Sequence, residues 1–404
     1  SDLDHLDPAR GTAGDVVQSA AIGAPDLTVA RRDVDGAPVR VALRGQWDFT
    51  PEALADAVAR VMEAEHALWG DPGVPFVVTM APLGGEGAGY SYTGTGRGDA
   101  FSVASTPGFS LAEATRFLAH EYMHTWIPAQ VGGGPANGEA RGFWFSEGWA
   151  DFYAARALLR AGLWTPADYA AELNRVLLRY ANSPVRDAPN SVIVERFWTD
   201  PHVHQLPYDR GHLLALLLDL RIRQHTRGRA DMDDVLRVQR ALARANAEAG
   251  RSVDAGTLFP LAMQQAVGME DFSWELAWHV DTGQETLLGR NQFGACARVE
   301  TVSQPVFHRG FDIAATEAAG MRVTGLDPTS PAYAAGLREG MRIVRREAGV
   351  IGDAGVELVY RVDDAGTERI IRYLPQGKGR VTLQRVHLTL ETASVDCRVV
   401  MSGA

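Results

Sequence analysis

The sequence predicts an α+β fold, with a mainly helical middle and β-rich segments at both ends. Three observations predict it. Apolar residues recur at helical spacing between about residues 110 and 223. Short apolar runs bounded by turn residues occupy 27–43, and the same texture returns beyond about residue 300. At 404 residues the chain is long enough for two or three domains. The divisions expected are a β-rich region over 1–48, a mainly helical domain over 49–295, and a small β domain over 296–404.

Composition removes several function classes. A net charge of −11 with no basic cluster argues against a nucleic-acid surface. The longest apolar run, Leu213 to Leu218, is far too short for a membrane span. Lys378 is the single lysine, which excludes lysine chemistry in the helical middle and a Gly-Lys-Ser/Thr phosphate loop. Cys296 and Cys397 are too far apart for a thiolate zinc pair of short spacing. Either they form a disulfide bracketing the last domain, or they are two buried thiols. A disulfide would favour a periplasmic or secreted protein over a cytoplasmic one. The opening Ser1-Asp-Leu-Asp4 shows no leader, as a mature or trimmed chain would also read.

Taken in order, Leu27–Ala30 and Val39–Leu43 read as strands, with Asp35-Gly36 as the turn between them. A helix follows, capped by Thr50, opened by Pro51 and stopped by Gly70. Pro75–Met80 is the next strand. The glycine-rich stretch from Gly84 to Gly98 follows a strand, but no helix begins until Ser110. A dinucleotide loop is therefore excluded. The stretch reads as a strand edge where glycines let a peptide backbone come close, or as a plain surface loop. Ser110 and Glu113 form a capping box for a helix with Leu111, Ala114, Leu118 and Tyr122 on its apolar face, and Pro128 closes the segment. A second helix opens around Glu147 and runs to about Ala161. A long apolar helix is expected over His212–Arg223, with Tyr208 just ahead of it. One short helix is expected near Pro331–Ala335.

The chemistry concentrates in two of these helices. His120, Glu121 and His124 stand in the order H-E-x-x-H, so the two imidazoles share a helix face and can grip one metal ion, with the glutamate free to act as a base. Glu147 lies 23 positions after His124 and can complete a His₂Glu set that leaves a fourth position open, which is the catalytic pattern for zinc. Asp151, one turn on, can accept the ring N–H of a ligand histidine. The bland alternative is a pair of surface acids near a helix start, where the dipole favours them. Phe143, Trp144, Phe145 and Trp149 make a solvated face less apt. Tyr208 can donate to the oxyanion of a tetrahedral intermediate, although a tyrosine beside a core helix is more often packing.

Three stretches together carry a resemblance. They are His120-Glu-Tyr-Met-His-Thr-Trp126, Trp144-Phe-Ser-Glu-Gly-Trp-Ala-Asp-Phe-Tyr-Ala154, and Tyr208-Asp-Arg-Gly211 ahead of Leu213-Leu-Ala-Leu-Leu-Leu-Asp-Leu-Arg-Ile-Arg223. In combination they resemble the glycyl aminopeptidase family of zinc metallopeptidases, over roughly residues 50 to 390. The resemblance implies a thermolysin-like catalytic domain followed by a PDZ-like domain. It implies one Zn2+ per chain on His120, His124 and Glu147, with Glu121 as general base and acid. Asp151 matches the carboxylate behind a ligand histidine, and Tyr208 matches the tyrosine of a Tyr-x-Lys-Gly motif, with Arg210 in place of lysine. Family members carry a Gly-Gly-Leu-Glu-His-type segment that presents a glutamate to the substrate's free amine. Here the region reads Gly84-Gly-Glu-Gly-Ala-Gly-Tyr-Ser-Tyr92, so Glu86, out of register, with Tyr90 and Tyr92, are the residues to meet substrate. Thr324–Val344 looks like a PDZ segment, which implies either a peptide ligand added along a sheet edge or a domain that only buttresses its neighbour.

The expected function is therefore zinc-dependent peptide hydrolysis by an aminopeptidase. An endopeptidase, and a peptide-binding scaffold with a vestigial zinc site, remain the alternatives.

Overall fold

A mixed sheet with strand order β1-β2-β3-β5-β4 sets the frame for the two motif helices. The computed structural model describes Thr12 and residues 20–84, 92–97, 99–106, 108–135, 138–268, 273–389 and 395–403. The chain divides into two units. One comprises Ser1–Tyr169, Leu218–Ser273 and Ser394–Ala404, and the other Ala170–Leu217 and Trp274–Ala393.

In the first unit, β1 (Thr28–Val34) and β2 (Ala37–Leu43) pair antiparallel. Asp35 and Gly36, both at positive φ (51° and 83°), make the two-residue turn whose twist suits a hairpin. The strands read from the sequence as a separate amino-terminal region are thus the first two strands of this sheet. β2 runs parallel to β3 (Phe76–Pro82), so the chain must cross over, and it does so through α1 (Pro51–Trp69). Thr50 caps α1 and Gly70, at φ 72°, ends it. β3 is parallel to β5 (Ala100–Ser105), and β4 (Tyr92–Arg97) pairs antiparallel with β5 at the sheet's edge.

Two helices lie over this frame. α2 (Leu111–Met123) starts at the Ser110–Glu113 capping box, with both reciprocal bonds formed. α3 (Phe143–Arg160) buries nearly its whole length. Val61 of α1, Ala119 of α2, and Ala154 and Leu158 of α3 form one apolar cluster. Behind α3, Arg156 is fully buried and donates to Asp219 (2.7 Å) and Asp231, with Asp233 at 3.5 Å. A buried guanidinium persists only when its charge is met in this way.

In the second unit, α4 (Pro166–Asn182) contributes Asn174, which exchanges two hydrogen bonds with the backbone of Val386. Val386 lies on β10 (Gln376–Leu388), which pairs with β6 (Ala297–Phe307). A three-stranded sheet follows the order β7-β8-β9 (Arg342–Ala348, Leu358–Asp364, Thr367–Tyr373). Phe311, Val323, Leu337, Leu358 and Val362 fill its core. The expected short helix is present at Pro331–Ala334. A second one, Ile313–Ala318, was missed; its signal is Asp312, whose carboxylate accepts from the backbone N–H of Ala315 (3.0 Å).

The long apolar helix requires a correction. It spans Pro201–Thr226, so Tyr208 lies inside it and not ahead of it. The expected start at His212 is thus too late. Asp200 supplies the cap, accepting from the backbone N–H of His202 at 2.9 Å, and Pro207 lies inside the helix, where it has no N–H to give the carbonyl of Val203.

Neither Cys296 nor Cys397 is free; both are in disulfide linkage. No helix among the described residues is long and apolar enough to cross a membrane.

Candidate metal centre

The capping box fixes where α2 begins, and the helical period then decides what faces α3. His120 is buried on the inner face, and His124 follows one turn later as the helix's C-cap. Their rings stand 4.8 Å apart at 85°. On α3, Glu147 lies in the second turn, held by aromatic packing on both sides: Phe145 meets Trp149 at 4.5 Å, and Trp149 meets Phe259 edge-on at 4.8 Å. The aromatic neighbours that argued against a solvated face are indeed buried.

These placements bring three ligand atoms together. One atom each from His120, His124 and Glu147 lie within 4.8 Å of one another. His120 Nε2 is 3.4 Å and His124 Nε2 3.5 Å from the same carboxylate oxygen, Glu147 Oε2. A tetrahedral ion with bonds near 2.1 Å separates its ligands by about 3.4 Å, so the donor set and the spacing both fit zinc.

Each imidazole is turned by its other nitrogen. His120 Nδ1 faces Asp151 Oδ1 at 3.0 Å, and His124 Nδ1 faces the carbonyl of Ile127 at 2.9 Å. With Nδ1–H donating in both, the two Nε2 lone pairs point at the common centre. The Asp151 carboxylate is itself gripped by Arg116 Nη2 at 3.3 Å. Neither Arg116 nor the Ile127 carbonyl was singled out from the sequence. Arg116 had a signal, since it lies one turn before His120 on the same helix. A backbone acceptor has none.

Electrostatics follow from this crowding. Burial works against a charge on His120, but Asp151 and Glu147 outweigh it and raise its pKa well above the ordinary histidine value. Burial opposes ionisation of Glu147, yet the two imidazoles hold its carboxyl far below the usual range. Glu121 is raised, chiefly by burial, with the two histidines pulling the other way. Glu65 of α1 is a further carboxyl that sequence reading passed over. It is fully buried with neither oxygen hydrogen-bonded, and burial drives its pKa well above normal, against the opposing effect of His120.

Tyr208 belongs to the second unit, with its ring 5.9 Å from that of His204. Glu86 and Tyr90 lie outside the described residues. Tyr92 starts β4, and its ring packs against Phe109 (5.0 Å) and edge-on to Phe117 of α2 (4.7 Å). The glycines of β4 answer to two needs. A Cβ on Gly94 would stand 2.4 Å from the Phe101 ring and 2.7 Å from that of Phe117, so its glycine makes room for the aromatic layer, whereas Gly96 faces open space.

With this geometry in hand, the segment carrying both motif helices can be compared with known families. Residues 113–192 match the family model described as M61 glycyl aminopeptidase. The resemblance read from the three motif stretches is borne out. That match supports a peptidase, a hydrolase of peptide bonds. No curated protein matches the chain. Among solved structures, an aminopeptidase N family protein from Idiomarina loihiensis is similar at a TM-score of 0.61 and 15% identity, covering 94% of this chain and 70% of that one. An M1 zinc metallopeptidase from Deinococcus radiodurans is similar over 65% of this chain and 53% of that one, at 17% identity and a TM-score of 0.42. At that identity the first of these speaks to the α+β fold alone.

Proposed function

We infer that the chain is a zinc-dependent peptidase that removes residues from the amino-terminal end of peptides. The observation that carries this is the convergence of His120, His124 and Glu147 at the separations a tetrahedral ion imposes. A zinc held there supplies Lewis acidity and a bound water whose pKa falls toward neutrality. Glu121, between the two histidines in sequence, takes the proton of the attacking water and returns it to the departing amine. Asp151 and the Ile127 carbonyl keep both Nε2 atoms aimed. Tyr208 donates its phenol to the oxyanion, and Glu86, Tyr90 and Tyr92 meet the substrate. The reading keeps a thermolysin-like catalytic domain over 49–295, its sheet extended by the two strands of the β-rich 1–48, with a PDZ-like domain over 296–404 that offers a sheet edge to a peptide.

The test uses a panel of peptides with free and blocked amino termini, together with metal analysis. Cleavage of free peptides that blocking abolishes supports an aminopeptidase. Equal cleavage of both makes it an endopeptidase. Peptide binding without cleavage, unchanged in Glu121→Gln, would leave a scaffold.

A further inference from the structure

His124 differs from His120 in leaning on the main chain, so something must fix the main chain. The carbonyl it uses belongs to Ile127, three residues past it. Ile127 is fully buried, and its own N–H returns to Met123 O at 2.9 Å. Its neighbour Trp126 is almost wholly buried and locked on every side. The indole stacks on Trp69 at 5.8 Å and 5°, and meets Tyr122 edge-on at 5.4 Å. Trp126 Nε1 donates to Asp71 Oδ2 at 2.5 Å.

Asp71 is the hub beyond it. It follows Gly70 at the end of α1, and Arg240 Nη2 donates to both its oxygens at 2.8 and 2.7 Å. Arg240 comes from a third helix, Met232–Glu248. The same guanidinium donates to Gln130 Oε1 and to the Trp69 carbonyl at 3.3 Å. Three separate segments are therefore clamped around the turn that carries the Ile127 carbonyl. A charge-assisted hydrogen bond of this sort is stronger than one between neutral groups.

We propose that Asp71 and Trp126, with Arg240 behind them, are positioning residues that set the orientation of the His124 imidazole through the Ile127 carbonyl. The proposal rests on the metal reading of the site. Its physical content is that a ligand ring whose Nδ1 acceptor drifts loses its preferred tautomer and aim, and the metal is then held less tightly. Removing groups behind a ligand typically weakens metal affinity about 10–100-fold.

The experiment is zinc affinity of the metal-free full chain, measured by competition with a chromophoric chelator. Asp71→Ala and Trp126→Phe should each weaken zinc about 10-fold or more. Trp126→Phe keeps an aromatic ring at the position and loses the N–H together with part of the indole's stacked area. Asp71→Asn keeps an acceptor for the indole and should recover part of the loss. Val41→Ala, a core deletion in the sheet, is the control for mere destabilisation and should bind zinc normally. Wild-type affinity in Asp71→Ala and Trp126→Phe would overturn the proposal, as would an equal loss in Val41→Ala. Failure of the underlying metal reading shows elsewhere, as zinc binding that His120→Ala and Glu147→Ala leave untouched.

Discussion

The two histidines sit one turn apart on one helix, yet they are braced in different ways. His120 rests on a carboxylate from α3, backed by an arginine from its own helix. His124 rests on a carbonyl in the turn after the helix, backed by an indole from that same turn, a carboxylate just past α1 and an arginine from a third helix. The first brace is made of side chains at fixed helical spacing. The second is tertiary. A brace on the same rigid elements as the ligands depends on helix packing alone, whereas a brace in a turn depends on everything that holds the turn.

Five substitutions probe that contrast. The largest effect belongs to the chemistry both braces serve. Glu121→Gln should retain zinc and lower turnover about 10²–10⁴-fold, the usual worth of a positioned proton acceptor; steady-state rates beside metal analysis would show it. Arg156→Ala attacks the helix that carries Glu147 and Asp151. It takes the central cation from three buried aspartates and leaves them only Arg160 and Arg223, so a loss of about 3 kcal/mol is expected, read as a fall in melting temperature. An unchanged melting curve would mean that α3 does not depend on its buried arginine. Asp151→Ala should weaken zinc about 10–100-fold. If chelator competition gave less than half that loss, the His120 brace would be the lesser of the two. Arg116→Ala removes a partly exposed partner of Asp151, worth about 0.2–1 kcal/mol, and should cost zinc affinity no more than about fivefold. Smallest is Ser110→Ala, which deletes the α2 cap and should cost about 1 kcal/mol of stability without changing the ratio of zinc affinities between the two brace variants.

The same contrast explains how much could be read beforehand. Spacing along one helix is a property of sequence, so His120, Glu121, His124, Glu147 and Asp151 were all visible, as were both caps of α1 and the capping box of α2. The hairpin at Asp35-Gly36 was readable because only a few residues tolerate positive φ. What long-range packing decides was not. Nothing local joins Asp71 to Arg240, and no residue name marks the Ile127 carbonyl as an acceptor. Glu65 looks like any helix-surface acid until tertiary packing buries it. The start of the long helix at Pro201 was missed, although Asp200 ahead of it is a cap signal. Gly94 was read toward a ligand, while the aromatic rings beneath the strand already require it.

The most direct test of the account is zinc content together with turnover, for wild type and Glu121→Gln side by side. The account predicts one zinc per chain in both proteins and peptide cleavage in the wild type alone. A wild-type chain that binds no zinc, or a Glu121→Gln variant that cleaves as fast as wild type, would contradict it.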